Sequence, residues 1–171
     1  MNEQQIRNLL RQVQEKTLSI GEAVEQLRHL PAELLSSAQL DHHRHLRTGL
    51  PEAVFGENKS VEHLIEILAA LLRQKNVVLA TRVAPDKAAG VQSRLDGLTY
   101  HVNARVLTGN DQFIPKECNR GTVVIVTAGT SDLPVAEEAR LSLECFGHPV
   151  QTIYDAGVAG LHRILAHSRI L

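Results

Sequence analysis

Apolar residues recur at helical spacing near the start of the chain. Ile6, Leu9, Leu10 and Val13 share one face, which predicts a helix over residues 4–15. Ser19 precedes Glu22 in the arrangement where hydroxyl and carboxylate each satisfy the other's backbone N–H, so a second helix starts there. Its apolar stripe is Ala23, Val24 and Leu27, and Pro31 follows its end. Helices this short do not hold their shape alone in water. They are expected to form a hairpin used for packing or oligomer contacts. Residues 37–59 are polar, with His and Arg and no clear period. Order returns at Ser60, the expected cap of a helix that buries Leu64, Ile67, Leu68, Leu71 and Leu72. Arg73 and Lys75 fall in its last turn, where positive charge suits the helix dipole. Val77 to Thr81 reads as a short apolar strand, and Pro85 opens another helix running to Leu95. From Thr99 to Val106 the pattern alternates: Tyr100, Val102, Ala104 and Val106 on one face, His101, Asn103 and Arg105 on the other. That predicts one half-exposed strand.

These elements group into an N-terminal α/β domain over residues 1–107, including the helical hairpin. Residues 108–121 form the expected linker, with Gly109, Asn110, Pro115, Asn119 and Gly121 as turn residues. A second domain starts at Thr122: strand 123–127, helix 133–146, strand 150–154 and helix 158–167. This βαβα order is the beginning of a parallel sheet. Such sheets are buried on both faces and have several strands. Two strands and two helices do not close that core, and strand 150–154 would present an open edge. The expectation is a chain cut from a longer protein, or a sheet completed by another chain.

Composition narrows the partners. The chain has 171 residues and a net charge of −1, so no basic field draws nucleic acid. Aromatic residues make up 3% and Trp is absent, so an aliphatic core is expected and base-stacking platforms are not. No apolar run reaches membrane-spanning length and the N-terminus is no signal peptide, so a cytoplasmic protein with no membrane partner is expected. Cys118 and Cys145 have neither paired nor metal-like spacing, and Cys145 reads as a small core residue beside Phe146.

The candidate chemistry lies where strand 123–127 ends. The β-branched run Val123-Val124-Ile125-Val126 breaks into Ala128, Gly129, Thr130, Ser131 and Asp132, and Pro134 opens a helix with Val135, Ala136, Ala139, Leu143 and Phe146 at helical spacing. Small residues let backbone approach a ligand, and the unpaired N–H groups of a helix start suit a phosphate or another anion. The alternative is that Ser131 and Asp132 only cap the helix. Gly147 is a plausible residue just past its end. Asp155 and Gly157 follow the second strand, at the end where open α/β sheets bind ligands. His162 and Arg163 stand about one helical turn further on. Upstream, His42, His43 and His45 fit neither an i, i+4 helix face nor a zinc-site spacing, so no metal site is expected. Arg44 and Arg47, with Glu52 and Lys59, either hold an anionic group or bridge the two domains; Arg82 is a further candidate of the same kind.

These motifs carry a resemblance. The run Ala128-Gly129-Thr130-Ser131-Asp132-Leu133-Pro134-Val135-Ala136-Glu137-Glu138-Ala139 resembles the first βα unit of the PurE superfamily, which includes carboxyaminoimidazole ribonucleotide mutase. Tyr154-Asp155-Ala156-Gly157-Val158-Ala159-Gly160-Leu161-His162-Arg163 is closer to its LarB branch of nickel-pincer nucleotide biosynthesis, part of which is labelled circadian phase modifier. Asp41, Arg44, Arg47, Thr48, Gly49, Pro51 and Glu52, with Gly56 and Lys59, match that branch in the pattern D-x-x-R-x-x-R-T-G-x-P-E. The resemblance implies an α/β fold: a small N-terminal α/β domain, then the first half of a PurE-like (Rossmann/flavodoxin-like) parallel three-layer domain. It implies nucleotide contacts at Gly129, Ser131 and Asp132, although the superfamily has serine at the position of Gly129. Where the mutases carry Ser-Ala-His-Arg, this chain reads Asp155-Ala156-Gly157-Val158, so their catalytic histidine is absent and His162 is the remaining candidate.

The LarB branch acts on nicotinic acid adenine dinucleotide. It carboxylates the pyridinium ring and hydrolyses the phosphoanhydride, giving pyridinium dicarboxylic acid mononucleotide and AMP. The resemblance therefore implies carbon dioxide or bicarbonate as co-substrate, magnesium as a candidate accompanying ion, no permanently bound cofactor, and a homo-oligomer. The family's covalent cysteine is expected beyond Leu171; neither Cys118 nor Cys145 matches it. The alternatives are a mutase of imidazole ribonucleotides and a non-catalytic, AMP-binding regulatory protein.

Overall fold

Two helices open the structure, a computed structural model that describes residues 3–28, 33–34, 39–40, 44, 48, 50–74, 76–116 and 121–168. They are α1 (Glu3–Gln14) and α2 (Ile20–Arg28). The capping box forms as the sequence predicts: Glu22 N–H donates to Ser19 Oγ at 3.2 Å, and Ser19 N–H donates to Glu22 Oε2 at 2.9 Å. The Ser19 N–H and the Ser19 hydroxyl, the latter at 2.7 Å, both donate to the Glu22 carboxylate and hold it below its ordinary range, because each favours the charged form. Leu9 and Ala23 are the buried residues of this pair. A short antiparallel pairing of β1 (Glu33–Leu34) with β2 (Gln39–Leu40) follows.

The central sheet runs β3-β4-β6-β5. Its strands are β3 (Ala53–Phe55), β4 (Val78–Thr81), β5 (Leu98–His101) and β6 (Val106–Gly109). β3 and β4 are parallel, and the other two pairings are antiparallel. Helices α3 (Val61–Leu72) and α4 (Pro85–Gln92) supply its covering layer. Ser60 caps α3 by accepting the His63 N–H. Leu64, Leu68, Val78, Ala80, Val83, Val91 and Leu107 form the dry centre of this core.

One expected element is corrected. Thr99–Val106 is not a single strand but parts of two, β5 and β6, paired from Leu98↔Gly109 to His101↔Val106. The chain turns at Val102–Arg105, where Arg105 takes the left-handed conformation (φ 55°) and Ala104 is buried. Alternation cannot tell one strand from two arms around a tight turn, because both arms keep the period of two. Consequently the segment expected as linker starts inside the sheet, with Thr108 buried in β6. Asn110, also left-handed (φ 58°), donates its side-chain amide to the carbonyls of Leu72, Gln74 and Asn76 at 3.0–3.1 Å. It thereby satisfies acceptors that the end of α3 leaves open.

The C-terminal half contains β7 (Val123–Val126), α5 (Leu133–Cys145), β8 (Val150–Ile153) and the single-turn α6 (Leu161–Leu165). β7 and β8 pair in parallel, Val123 opposite Val150 and Val126 opposite Ile153. Helix α5 joins the halves: its Leu141 and Cys145 pack with Val77, Leu79, Ala104 and Val106 of the central sheet. Gly147 ends α5 at φ 83°, with Pro115 O only 2.3 Å from where a Cβ would stand, so no other residue fits. The whole is a mixed α/β fold with parallel and mixed sheets, consistent with a Rossmann/flavodoxin-like architecture.

Candidate functional site

Parallel pairing brings the ends of β7 and β8 to one edge, and Thr127 locks the two turns that leave them. Thr127 N–H donates to Ile153 O at 3.0 Å, and Thr127 O accepts the Ala156 N–H at 2.8 Å. Its hydroxyl accepts the Asp155 N–H at 3.2 Å. Gly157 then passes so close to Ala128 that a Cβ would meet Ala128 O at 2.6 Å. Glycine is needed there for space, since its φ of −64° suits any residue. The structure thus ties Asp155 and Ala156 to Thr127 and sets Gly157 against Ala128, so the two turns that hold the sequence's candidate ligand residues lie side by side.

Within the first turn, Gly129 is extended and Thr130–Asp132 form one 3₁₀ turn running into α5. Asp132 makes no side-chain cap to α5. It is itself helical, and its Oδ2 accepts the Gly129 N–H at 3.1 Å. The helical run starts one turn earlier than Leu133, which moves Asp132 from the cap to the third helical position. The Gly129 N–H is therefore satisfied internally, while the Thr130 and Ser131 N–H groups precede the first i−3 bond, made by Asp132 N–H to Gly129 O.

Across from it, Asp155 is held in the left-handed region (φ 57°), and its carboxylate pairs with Arg163 at 2.8 Å. Arg163, not His162, reaches back to the turn; His162 is exposed.

Beside the turn opens a cleft of about 430 Å³ lined by Asn103, Thr130, Leu133, Pro134, Glu137 and Tyr154. The Tyr154 hydroxyl donates to Glu137, whose carboxylate also accepts from two Arg140 nitrogens, the shortest contact at 2.7 Å. Arg140 reaches on to Glu144 at 2.8 Å. The Arg140 guanidinium holds the Glu137 carboxyl below its ordinary range against the effect of burial, and Tyr154 adds to this. Burial, then the carboxylate partner, pushes the Tyr154 phenol up. Sequence reasoning missed Asn103, Glu137 and Tyr154 as site residues. Tyr154 and Glu137 fall inside the motifs that carry the resemblance, and Asn103 falls in the strand expected over Thr99–Val106.

The upstream candidates fall elsewhere. Arg44 is exposed, and its carbonyl accepts the Thr48 hydroxyl at 2.8 Å. Arg47 and the histidines His42, His43 and His45 lie outside the described residues. Lys59 is half-buried in the loop from β3 to α3, and neither Arg44 nor Lys59 lines the cleft. Arg82 is left-handed at the end of β4 (φ 53°), 3.4 Å from Glu138 of α5, 4.0 Å from Glu57 and over the Phe55 ring. It bridges the central sheet to α5. Among the described residues no group of three His, Cys, Asp or Glu could hold a metal ion. Cys145 is buried, and that burial, with Asp111 and Glu144 nearby, pushes its thiol up to about 11. No helix among the described residues is long and apolar enough to cross a membrane.

Comparison with known proteins adds a likeness. Residues 32–111 match the LarB/PurE-like N-terminal domain. An uncharacterized protein of Methanocaldococcus jannaschii is 33% identical over 166 residues, covering 93% of this chain and 64% of its own length. The chain therefore spans under two thirds of that relative. The domain match supports a likeness to LarB/PurE-like proteins over those residues.

Proposed function

We propose that this chain provides the nucleotide-holding part of an enzyme that carboxylates nicotinic acid adenine dinucleotide and hydrolyses its phosphoanhydride, releasing pyridinium dicarboxylic acid mononucleotide and AMP. The observation that carries the reading is the joining of two turns at the ends of parallel β7 and β8, with Gly157 against Ala128. A phosphate there meets the Thr130 and Ser131 N–H groups at the positive end of a helix. Asp132 and Asp155 supply acceptors for ribose hydroxyls. Carbon dioxide or bicarbonate is the co-substrate, with magnesium as a counter-ion to the phosphates. Ring carboxylation needs a nucleophile that adds to the pyridinium, and the buried, protonated Cys145 thiol is unsuited to that step. The reading places the protein in the cytoplasm as a homo-oligomer.

A mutase acting on an imidazole ribonucleotide is disfavoured, since Asp155, paired with Arg163, belongs to the turn where mutases carry their histidine motif. The test is mass spectrometry of the intact protein, purified from its source, with nicotinic acid adenine dinucleotide and ¹³C-bicarbonate. AMP plus a labelled pyridine mononucleotide is the expected result. Turnover of the imidazole ribonucleotide instead would establish the mutase, and AMP binding without any turnover would establish a regulatory protein. Asp132→Ala is expected to weaken AMP binding; unchanged affinity would remove Asp132 from the site.

A further inference from the structure

We infer that the cleft beside the turn is a subsite for an adenine base, and that the hairpin of the N-terminal sheet supplies its specificity. The inference rests on the nucleotide-holding role proposed for the turn, and says which part of the nucleotide goes where. Thr130 belongs to both the turn and the cleft, so a ligand anchored by its phosphate at the helix start continues directly into the cleft. At about 430 Å³ the cleft lies within the range of small-molecule sites, roughly 300–1,000 Å³.

Its lining suits a planar neutral heterocycle. Leu133 and Pro134 give apolar surface and Tyr154 gives an aromatic ring. The Tyr154 ring is tethered through its hydroxyl to Glu137, which Arg140 holds in turn. That pairing also compensates the Glu137 charge, so the wall does not act as a bare anion. Among the described residues no Lys or Arg lines the cleft, which argues against the carboxylate-bearing pyridine half of a dinucleotide. One carboxamide remains: Asn103, at the tip between β5 and β6, exposed and with no hydrogen bond among the described residues. A carboxamide pairs with the N6 and N7 edge of adenine by donating to N7 and accepting from the N6 amine. Inosine, with an acceptor in place of that amine, cannot complete the pair.

Isothermal titration of the chain with AMP, inosine monophosphate and ribose 5-phosphate tests this. Wild type is expected to bind AMP about tenfold or more tightly than either other probe. Asn103→Ala, at an exposed tip, should bring AMP down to the inosine monophosphate level and leave ribose 5-phosphate unchanged. Tyr154→Phe keeps the ring and should retain most of the AMP preference, whereas Tyr154→Leu should lose it. Equal affinity for AMP and ribose 5-phosphate would overturn the base subsite while leaving the phosphate-holding turn intact. No binding of any probe would remove both readings. Preference for AMP that survives Asn103→Ala would overturn the role of the hairpin.

Discussion

The two principal sheets are built from similar apolar strands, yet water meets them differently. In the central sheet every residue of β6 is buried, as are Val78, Leu79 and Ala80 of β4. In the second sheet Val123, Val124 and Ile125 are only half-buried, and Val126 is 41% exposed. Strand composition does not decide this; cover does. The central sheet has α3 and α4 in one core cluster and α5 in the other. The second shares α5 but leaves Val158 78% and Leu165 64% exposed in the segment after β8. One sheet is a scaffold. The other carries the turns where ligand contacts are proposed; its buried side chains are few, Ile153 chief among them, and Thr127 ties its two turns together.

The comparison breaks most directly at the buried centre. Leu107→Ala, in a fully buried side chain, is expected to cost about 2–5 kcal/mol, read as a lower urea midpoint. Val126→Ala should cost under about 1 kcal/mol, because water already reaches that side chain. Equal losses would refute the contrast between the sheets. Next in size is Gly157→Ala, where a methyl would press on Ala128 O. About 1–3 kcal/mol of destabilisation is expected, with weaker AMP binding in titration. A tolerated substitution would show that the two turns need not touch.

A smaller effect lies in the Glu137–Arg140 pair. Its folded-state carboxyl is held low, so the stabilisation is present above the ordinary carboxylate range and is lost as pH falls through the folded value. Glu137→Gln should remove on the order of 1 kcal/mol near neutral pH and little in acid. Urea midpoints measured across that range check the sign, and a constant difference at all pH values would contradict it. Smallest is Arg82→Ala. This half-exposed bridge to α5 should cost under about 1 kcal/mol, fading in high salt. A larger loss would mean that α5 is held to the central sheet by charge rather than by Leu141 and Cys145.

Local chemistry made much of the fold readable. The Ser19–Glu22 box, the Ser60 cap, the apolar face of α3, the strand over 78–81 and the glycine at 147 each follow from neighbours a few residues apart. β3 was not readable, because three residues within a polar stretch show no period of their own, and it is the pairing with β4 that makes them a strand, with Val54 alone buried. The turns of the candidate site were readable as motifs, but their state was not. Asp132 satisfying Gly129, and Arg163 rather than His162 reaching Asp155, depend on side-chain directions that a spacing rule does not specify.

By itself, then, the amino-acid sequence determined the starts of α2 and α3, the glycine end of α5, which strands are apolar, and that a small-residue turn leads into α5. These follow from capping, periodicity and backbone freedom, which act over one or two turns of chain. The tertiary structure alone decided that Thr99–Val106 folds back as a hairpin, that α5 covers the central sheet, and that Asn103 meets Thr130, Glu137 and Tyr154 around one cleft. Those residues are far apart in the chain, and only the burial of α5 against both sheets brings them within reach of one ligand.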